Sequence, residues 1–286
     1  MNAHRKYPVL ALAILGALFA GPSQAWASPV LDADLASFAV LGSATVTNTG
    51  TTTLTGNLGV SPGTAITGFF GTVANEGPGT FTGTAHQADA FAGSAQSQLG
   101  TAITNLGLMG PGTTLSSDLA GLTIFPGIYT VLPSTSNLTG IVTLDGQGNA
   151  NAVWVFQMPS TLITSPGSFV NLINTGAGAA LFWNVHTSAT LDTTTSFQGN
   201  ILALESITLN AGASIGCGRA LASTGAVTMD TNSIGGGCTG ILTGSNGLNG
   251  DLSPVGAIPE PETYAMLLAG LGLMGFVARR RKQNAA

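Results

Sequence analysis

The feature that most constrains this chain is an internal repeat of 18 to 20 residues. Thr190-Leu191-Asp192 recurs as Thr208-Leu209-Asn210 and again as Thr228-Met229-Asp230, at spacings of 18 and 20. Gly199-Asn200-Ile201-Leu202-Ala203 recurs as Gly218-Arg219-Ala220-Leu221-Ala222, a spacing of 19. Fainter copies are Thr143-Leu144-Asp145 and Thr161-Leu162, again 18 apart. Ser43-Ala44-Thr45-Val46 with Gly56-Asn57-Leu58 echoes Ser188-Ala189-Thr190-Leu191 with Gly199-Asn200-Ile201. A unit this short cannot bury a hydrophobic face alone, so neighbouring copies must stack on one another. Its length is about one coil of a three-sided β-solenoid, with Leu, Ile, Val and Phe pointing inward and Thr and Ser outward. Residues 38–240 have the matching texture of short apolar runs between Gly, Thr, Ser and Asn turns. Val153-Trp154-Val155-Phe156, Ala180-Leu181-Phe182-Trp183 and Asn200-Ile201-Leu202-Ala203-Leu204 read as buried strands.

One segment breaks the repeat. Between Ala85 and Leu108 the apolar residues Phe91, Ala95, Leu99, Ala102, Ile103 and Leu106 fall at helical spacing. The spacing predicts a single helix at about 85–108, packed along one solenoid face and stopped by Pro111-Gly112. The fold class is therefore all-β with one long helix alongside. Residues 241–257 are Gly-, Asn- and Ser-rich without period and read as a flexible linker.

Charge removes several function classes. Charged residues are 7% of the 286, against about 25% in an ordinary domain. Arg219 is the single Lys or Arg between about residues 28 and 258, and it faces ten acids there. Such a body cannot neutralise a phosphate backbone, so nucleic acid is not a partner. His86 and His186 are the histidines beyond the N-terminal segment. Neither has a Cys or Asp at triad or metal-site spacing, so both read as structural or solvated. Asp145, Asp192 and Asp230 each follow an inward apolar residue where a turn is due, which suits Asx-turn capping. The Gly-Gly-x-Gly-x-Asp pattern of calcium-binding solenoids is absent, and Gly235-Gly236-Gly237 has no phosphate-loop lysine. No catalytic constellation, cofactor or metal is implied. Cys217 and Cys238 are the two cysteines. In an exported chain an even count suggests one disulfide closing a loop of about twenty residues, the alternative being two buried thiols.

The two ends read as addresses. Arg5 and Lys6, the apolar stretch Val9 to Ala20 and Ala25-Trp26-Ala27 form a secretory signal, residues 1–27, cleaved after Ala27. At the other end Pro259-Glu260-Pro261 precedes a short apolar run, Thr263 to Ala278, and then Arg279-Arg280-Arg281-Lys282. The run is short for a lone transmembrane helix, and the basic cluster marks a cytoplasmic side. This order over residues 258–282 resembles the PEP-CTERM sorting signal of Gram-negative bacteria. The resemblance implies transient anchoring in the inner membrane, removal of the tail by an exosortase, and delivery to the cell surface or the medium. The alternative is a permanent C-terminal anchor.

Small hydroxyl side chains gather between the inward residues of the repeats. Thr49-Gly50-Thr51-Thr52, Thr193-Thr194-Thr195-Ser196, Ala211-Gly212-Ala213-Ser214 and Thr231-Asn232-Ser233 form short tetrads, with Thr164 to Ser168 a looser copy. Positions 193 and 196 recur at 211 and 214, so the spacing stacks them on neighbouring coils, about 4.8 Å apart. A second column, Thr143, Thr161, Thr190, Thr208 and Thr228, either reflects the strand preference of Thr or faces the helix.

Several stretches together resemble the bacterial and fungal ice-binding protein family. They are Phe38-Ala39-Val40-Leu41, Gly59 to Phe69, Pro126-Gly127-Ile128-Tyr129, Leu144 to Asn149 leading into Ala152 to Gln157, and the two copies beginning at Gly199 and Gly218. They occur in the family's order over about 200 residues. The resemblance implies a right-handed, discontinuous, three-sided β-solenoid over residues 28–240 with a flanking helix. It also implies adsorption to the surface of an ice crystal without catalysis. On that reading Thr49, Thr52, Thr164, Ser168, Thr193, Thr195, Ser196, Ser214, Thr231 and Ser233 are the candidate ice contacts. The hydroxyl of a Thr would anchor a water while its methyl cannot hydrogen-bond, and rows of them would hold water in an ice-like arrangement. The competing reading is a structural or adhesive protein of the extracellular matrix that binds exopolysaccharide.

Overall fold

The computed structural model describes residues 30–72 and 76–235. Short parallel strands stack there into three sheets of nine, eight and six strands. A complete coil contributes one strand to each sheet, as the first coil does with Phe38–Gly42, Thr45–Asn48 and Thr53–Thr55. The strands expected at 153–156, 180–183 and 200–204 are Val153–Met158, Ala180–Val185 and Asn200–Ala203.

The coils do not stack in chain order. In the nine-stranded sheet the spatial sequence begins Ala85–Gln87, Asn57–Val60, Phe38–Gly42, Ala220–Ala222 and Asn200–Ala203. It continues through Ala180–Val185, Val153–Met158 and Gly127–Val131 to Thr113–Leu115. The last described coil therefore lies against the first, with Val40 opposite Ala220 and Leu41 opposite Leu221. This is the discontinuity that the sequence resemblance implied. After Gln87 the chain must cross to the far end of the stack. Nine strands leave eight gaps, about 38 Å at about 4.8 Å each. The helix that makes the crossing, Ala90–Leu108, has 19 residues and is about 28 Å long. The extended residues flanking it supply the rest. Helix and flanking residues together must therefore span the stack.

We label the short N-terminal helix Ala33–Ala36 α1 and this long one α2. α2 starts five residues later than its spacing suggested. Ala85–Gln87 instead continues the sheet against Leu58 to Val60, and Asp89 opens the helix by accepting a hydrogen bond from Ala92 N at 2.8 Å. Gly110, at φ 85°, ends it in the left-handed conformation just before Pro111. The buried stripe is Ala92, Ala95, Leu99, Ala102 and Leu106. It packs on Leu41, Val155, Phe182, Leu202 and Leu221, and the alanines allow a close approach. Side-chain amides clamp the helix to the sheet: Gln157 Nε2 donates to Leu106 O at 2.6 Å, and Gln96 Nε2 donates to Gly42 O at 2.9 Å.

The backbone N–H of Ala92, more than the neighbouring His86, holds the Asp89 carboxyl below its ordinary range. A carboxyl lowered on folding stabilises above its unfolded pKa, and that support fades as pH falls through the folded value. Asp89→Ala is therefore expected to cost about 1 kcal/mol in urea melts at neutral pH. The gap should narrow below about pH 4.

The solenoid interior is one continuous apolar cluster. Cys217 lies in it; Cys238 lies outside the described residues, as do the signal, the linker and the sorting segment. Among the described residues no helix is long and apolar enough to cross a membrane.

Candidate functional site

α2 covers the nine-stranded sheet, which leaves two faces open. The six-stranded sheet consists of Leu162–Ile163, Ala189–Leu191, Ile207–Leu209, Val227–Met229, Thr45–Asn48 and Ala65–Thr67 in spatial order. Leu162, Ala189, Ile207, Val227, Val46 and Ile66 point inward and are buried. Alternation turns the next residue of each strand outward. Thr190 is paired with Thr208, Thr208 with Thr228, Thr228 with Thr47, and Thr47 with Thr67. Five threonines thus form one straight ladder across five coils, about 19 Å long. Ile163 extends it by one rung. None of these five hydroxyls makes a hydrogen bond to the described protein.

Beside the ladder runs a row of small residues, Ser188, Ser206, Ala226, Thr45 and Ala65, all half-buried. Its serines are engaged inside the protein. Ser188 Oγ accepts from Ser206 N at 3.3 Å and donates to Glu205 Oε2 at 3.1 Å, and Ser206 Oγ accepts from Ala226 N at 3.2 Å. Both rows are uncharged and consist of small side chains.

The tetrads sit elsewhere, at the corner between this sheet and the eight-stranded one. Four of their side chains point inside: Thr52, Thr164, Ser168 and Thr195 are at most 1% exposed. Thr164 Oγ1 and Thr195 Oγ1 hydrogen-bond to each other at 2.8 Å. Thr52 Oγ1 donates to Asn48 Oδ1 at 2.6 Å, and Ser168 Oγ to Leu138 O at 2.7 Å. The expectation that these four face outward is corrected by the turn geometry. Thr194 at φ 56° and Gly167 at φ 70° are left-handed steps that break strict alternation and send Thr195 and Ser168 inward, whereas Thr164 is inward by plain alternation after Leu162 and Ile163. Thr49, Thr193 and Thr231 stay on the outer rim of the corner.

Ser196, Ser214 and Ser233 lie on the eight-stranded sheet, in one row with Phe169, Thr53 and Thr80. The next row there is uneven, with Gln198 followed by Gly216 and Gly235. Exposed Phe169 and Ile141 interrupt the far end of the serine row. Thr143 also belongs to this sheet, opposite Asn171. The second column read from the sequence is thus split between two faces, and neither face is the one under the helix.

Several ionisable groups elsewhere hold turns and the start of α2. Asp192 Oδ1 accepts from Asn210 Nδ2 at 2.9 Å and from Thr193 N at 2.7 Å, which lowers its pKa. Asp145 Oδ1 accepts from Gln147 N at 2.9 Å, the expected Asx turn. His86 Nδ1 pairs with Asp89 Oδ2 at 2.7 Å between Phe38 and Phe91. Among the described residues no three His, Cys, Asp or Glu side chains converge on a possible metal.

A stack of parallel coils in discontinuous order, strutted by a helix and carrying an uncharged hydroxyl lattice on an open face, defines a class of β-solenoid. The model of the Ice-binding-like family matches residues 40–235, and the PEP-CTERM protein-sorting motif matches residues 257–282. An ice-binding protein of Nostoc sp. (strain HG1) is 40% identical over 283 residues, covering 98% of each chain. The crystal structure of an ice-binding protein from an Antarctic biological consortium superposes with a TM-score of 0.67 at 39% identity, over 77% of this chain and 95% of that one. The crystal structure of the ice-binding protein of the ascomycete Antarctomyces psychrotrophicus gives 0.66 at 35% identity, over 73% and 99%. The chain belongs to the Ice-binding-like family, and the sorting motif marks it for export. Both resemblances read from the sequence are borne out.

Proposed function

We propose that this protein adsorbs to ice through its six-stranded sheet, and that the ladder Thr190–Thr208–Thr228–Thr47–Thr67 makes the contact. The observation that carries the reading is the in-register ladder of hydroxyls without protein partners. Each threonine offers one hydroxyl to a water and presents a methyl that cannot hydrogen-bond. At a constant spacing of about 4.8 Å, such waters form an ordered layer that merges with a crystal. Each contact is weak, but many act together on a solid. Lys and Arg, which would orient water in other geometries, are absent from the face. Thr49, Thr193 and Thr231 extend it at the rim, while Ser196, Ser214 and Ser233 belong to the adjoining side. Adsorbed molecules make the ice front curve between them, which opposes growth and recrystallisation. The protein needs no catalytic group for this.

Export and processing complete the proposal. The C-terminal apolar segment anchors the chain in the inner membrane until an exosortase removes it, and Cys217 and Cys238 form a disulfide once outside the reducing cytoplasm.

The test is an ice-recrystallisation assay on the exported protein. Thr208→Lys, at the centre of the ladder, should raise the concentration needed for inhibition about tenfold or more, as central contacts dominate an interface. Melting should barely move, because Thr208 points outward and surface substitutions away from the core shift stability by about 0.5 kcal/mol or less. Ser214→Lys on the adjoining sheet should leave inhibition intact. Loss of inhibition in Ser214→Lys alone would move the contact to the other face, and an inactive parent protein would end the reading.

A further inference from the structure

The threonine ladder crosses the discontinuity of the solenoid. Thr47 and Thr67 belong to the first two coils, whereas Thr228, Thr208 and Thr190 belong to the last three described. Thr228 and Thr47 are neighbours in the ladder without being neighbours in the chain. Something other than chain connectivity must set the spacing and height of the two halves.

Directly behind the ladder a chain of buried side chains joins the same coils. Asn48, the residue after Thr47, donates from Nδ2 to Gly68 O at 2.9 Å and to Gly50 O at 2.6 Å. Its Oδ1 accepts from Thr52 Oγ1 at 2.6 Å. Thr52 Oγ1 in turn accepts from Asn232 N at 3.0 Å, across the seam. Asn232 Nδ2 then donates to Asn210 O at 2.9 Å and to Ala213 O at 2.8 Å, and its Oδ1 accepts from Asp230 N at 2.6 Å. The chain therefore runs without a gap from the coil of Thr67 to the coil of Thr208. Asn48, Thr52 and Asn232 are 5%, 0% and 3% exposed. Their burial shields these bonds from bulk water, which strengthens them and makes each one costly to leave unmade.

We infer that Asn48, Thr52 and Asn232 are positioning residues for ice recognition: they lock the two non-contiguous halves of the ladder into one lattice. The inference rests on the reading of the six-stranded sheet as the ice contact. An apolar corner would hold the coils together equally well by burial, but burial is non-directional. It would let the halves slide by fractions of an ångström, which a periodic solid registers and an ordinary hydrophobic interface does not. Backbone pairing crosses the seam in all three sheets and sets the register, and the side-chain relay adds a directional constraint at the corner beside the ladder.

The experiment uses Thr52→Val, which keeps the volume and removes only the hydroxyl that links Asn48 to Asn232, and Asn232→Ala. The reference is Val155→Ala, a core truncation beneath α2 on the far side of the coil. Recrystallisation inhibition is measured near the freezing point, where melting curves show every variant folded. Both corner variants should need roughly tenfold more protein, as expected when one member of a buried cooperative network is lost. Val155→Ala should be unimpaired even where its melting temperature falls as far. Equal losses in all three would reduce the corner to a stability element, and full activity of Thr52→Val would overturn the inference. Thr208→Lys is run in parallel. If it too stays active, the face itself is misassigned. If it alone loses activity, the face stands and the positioning role falls.

Discussion

Trp183→Ala should lower stability by about 3–5 kcal/mol, the range for truncating a large buried aromatic. For a domain of this size that is a fall in melting temperature of roughly 10 °C. Trp183 is fully buried at the centre of the solenoid. Its ring lies 4.2 Å from Phe156 at an interplanar angle of 14°, and 4.9 Å from Phe197. Phe156 stacks in turn on Tyr129 at 5.7 Å. Tyr129, Phe156 and Trp183 are register partners on three adjacent strands, so the rings form a column along the coil axis. Truncation opens a cavity in the middle of that column. It also orphans Gln198 O, which accepts from Trp183 Nε1 at 3.0 Å. Trp183→Phe keeps a ring in the stack but loses the bond and part of the indole volume, so it should cost less, about 1–3 kcal/mol. Equilibrium urea unfolding of both variants checks the pair. A stable Trp183→Ala would mean that the interior collapses onto the gap, contrary to the rigidity that stacked coils impose.

The sequence announced this column more clearly than it announced the site. Val153-Trp154-Val155-Phe156 and Ala180-Leu181-Phe182-Trp183 are apolar on both faces because one face meets the solenoid interior and the other meets α2. A run without alternation is what a doubly buried strand produces. The helix was legible for the same reason, from a stripe that must be covered. The outward face carries a weaker signal. Thr-Leu-Asp at 143–145 and at 190–192 looks the same, yet the first lies on the eight-stranded sheet and the second on the six-stranded one. Alternation reports only inside against outside, not which side of a triangle. The echo of Ser188-Ala189-Thr190 in Ser43-Ala44-Thr45 is off by two residues, since Thr47 is the rung in line with Thr190. A shift of two preserves alternation, so nothing in the pattern betrays it. Thr195 faces inward against expectation because the left-handed Thr194 before it changes parity at a place where the neighbouring composition does not change.

Order along the axis was the least visible property, since similar coils can stack in more than one sequence. What fixes it includes a residue that stands out in composition but whose purpose the sequence does not explain. Arg219 is the one cation in the body of the chain and is 3% exposed. Burial lowers its pKa to about 10, so it still carries its charge at neutral pH. The guanidinium donates from Nε to Ala36 O at 3.0 Å, with Nη2 reaching the same carbonyl. Nη1 donates to Asn200 Oδ1 at 2.9 Å. Ala36 ends α1, directly before the first coil, while Arg219 opens the last coil and Asn200 the one before it. One side chain therefore ties the free end of α1 to two coils on the other side of the seam. The bonds also place a positive charge where the helical carbonyls of α1 end.

Arg219→Met keeps most of the apolar stem but leaves Ala36 O and Asn200 Oδ1 without these donors. Each buried orphan costs about 1–3 kcal/mol. Relief of the desolvated charge returns part of this, so a net loss of about 2–4 kcal/mol is expected. Arg219→Lys should recover little, because an ammonium lacks the planar fork that reaches both acceptors. The location of the damage separates this role from ordinary core packing. Hydrogen exchange in Arg219→Met should accelerate first in Phe38–Gly42 and Ala220–Ala222, the two strands that meet at the seam. Protection at Val153–Met158, three strands away, should persist until global unfolding. Uniform acceleration across the nine strands, or a variant as stable as its parent, would show that the coil order is held without this tie.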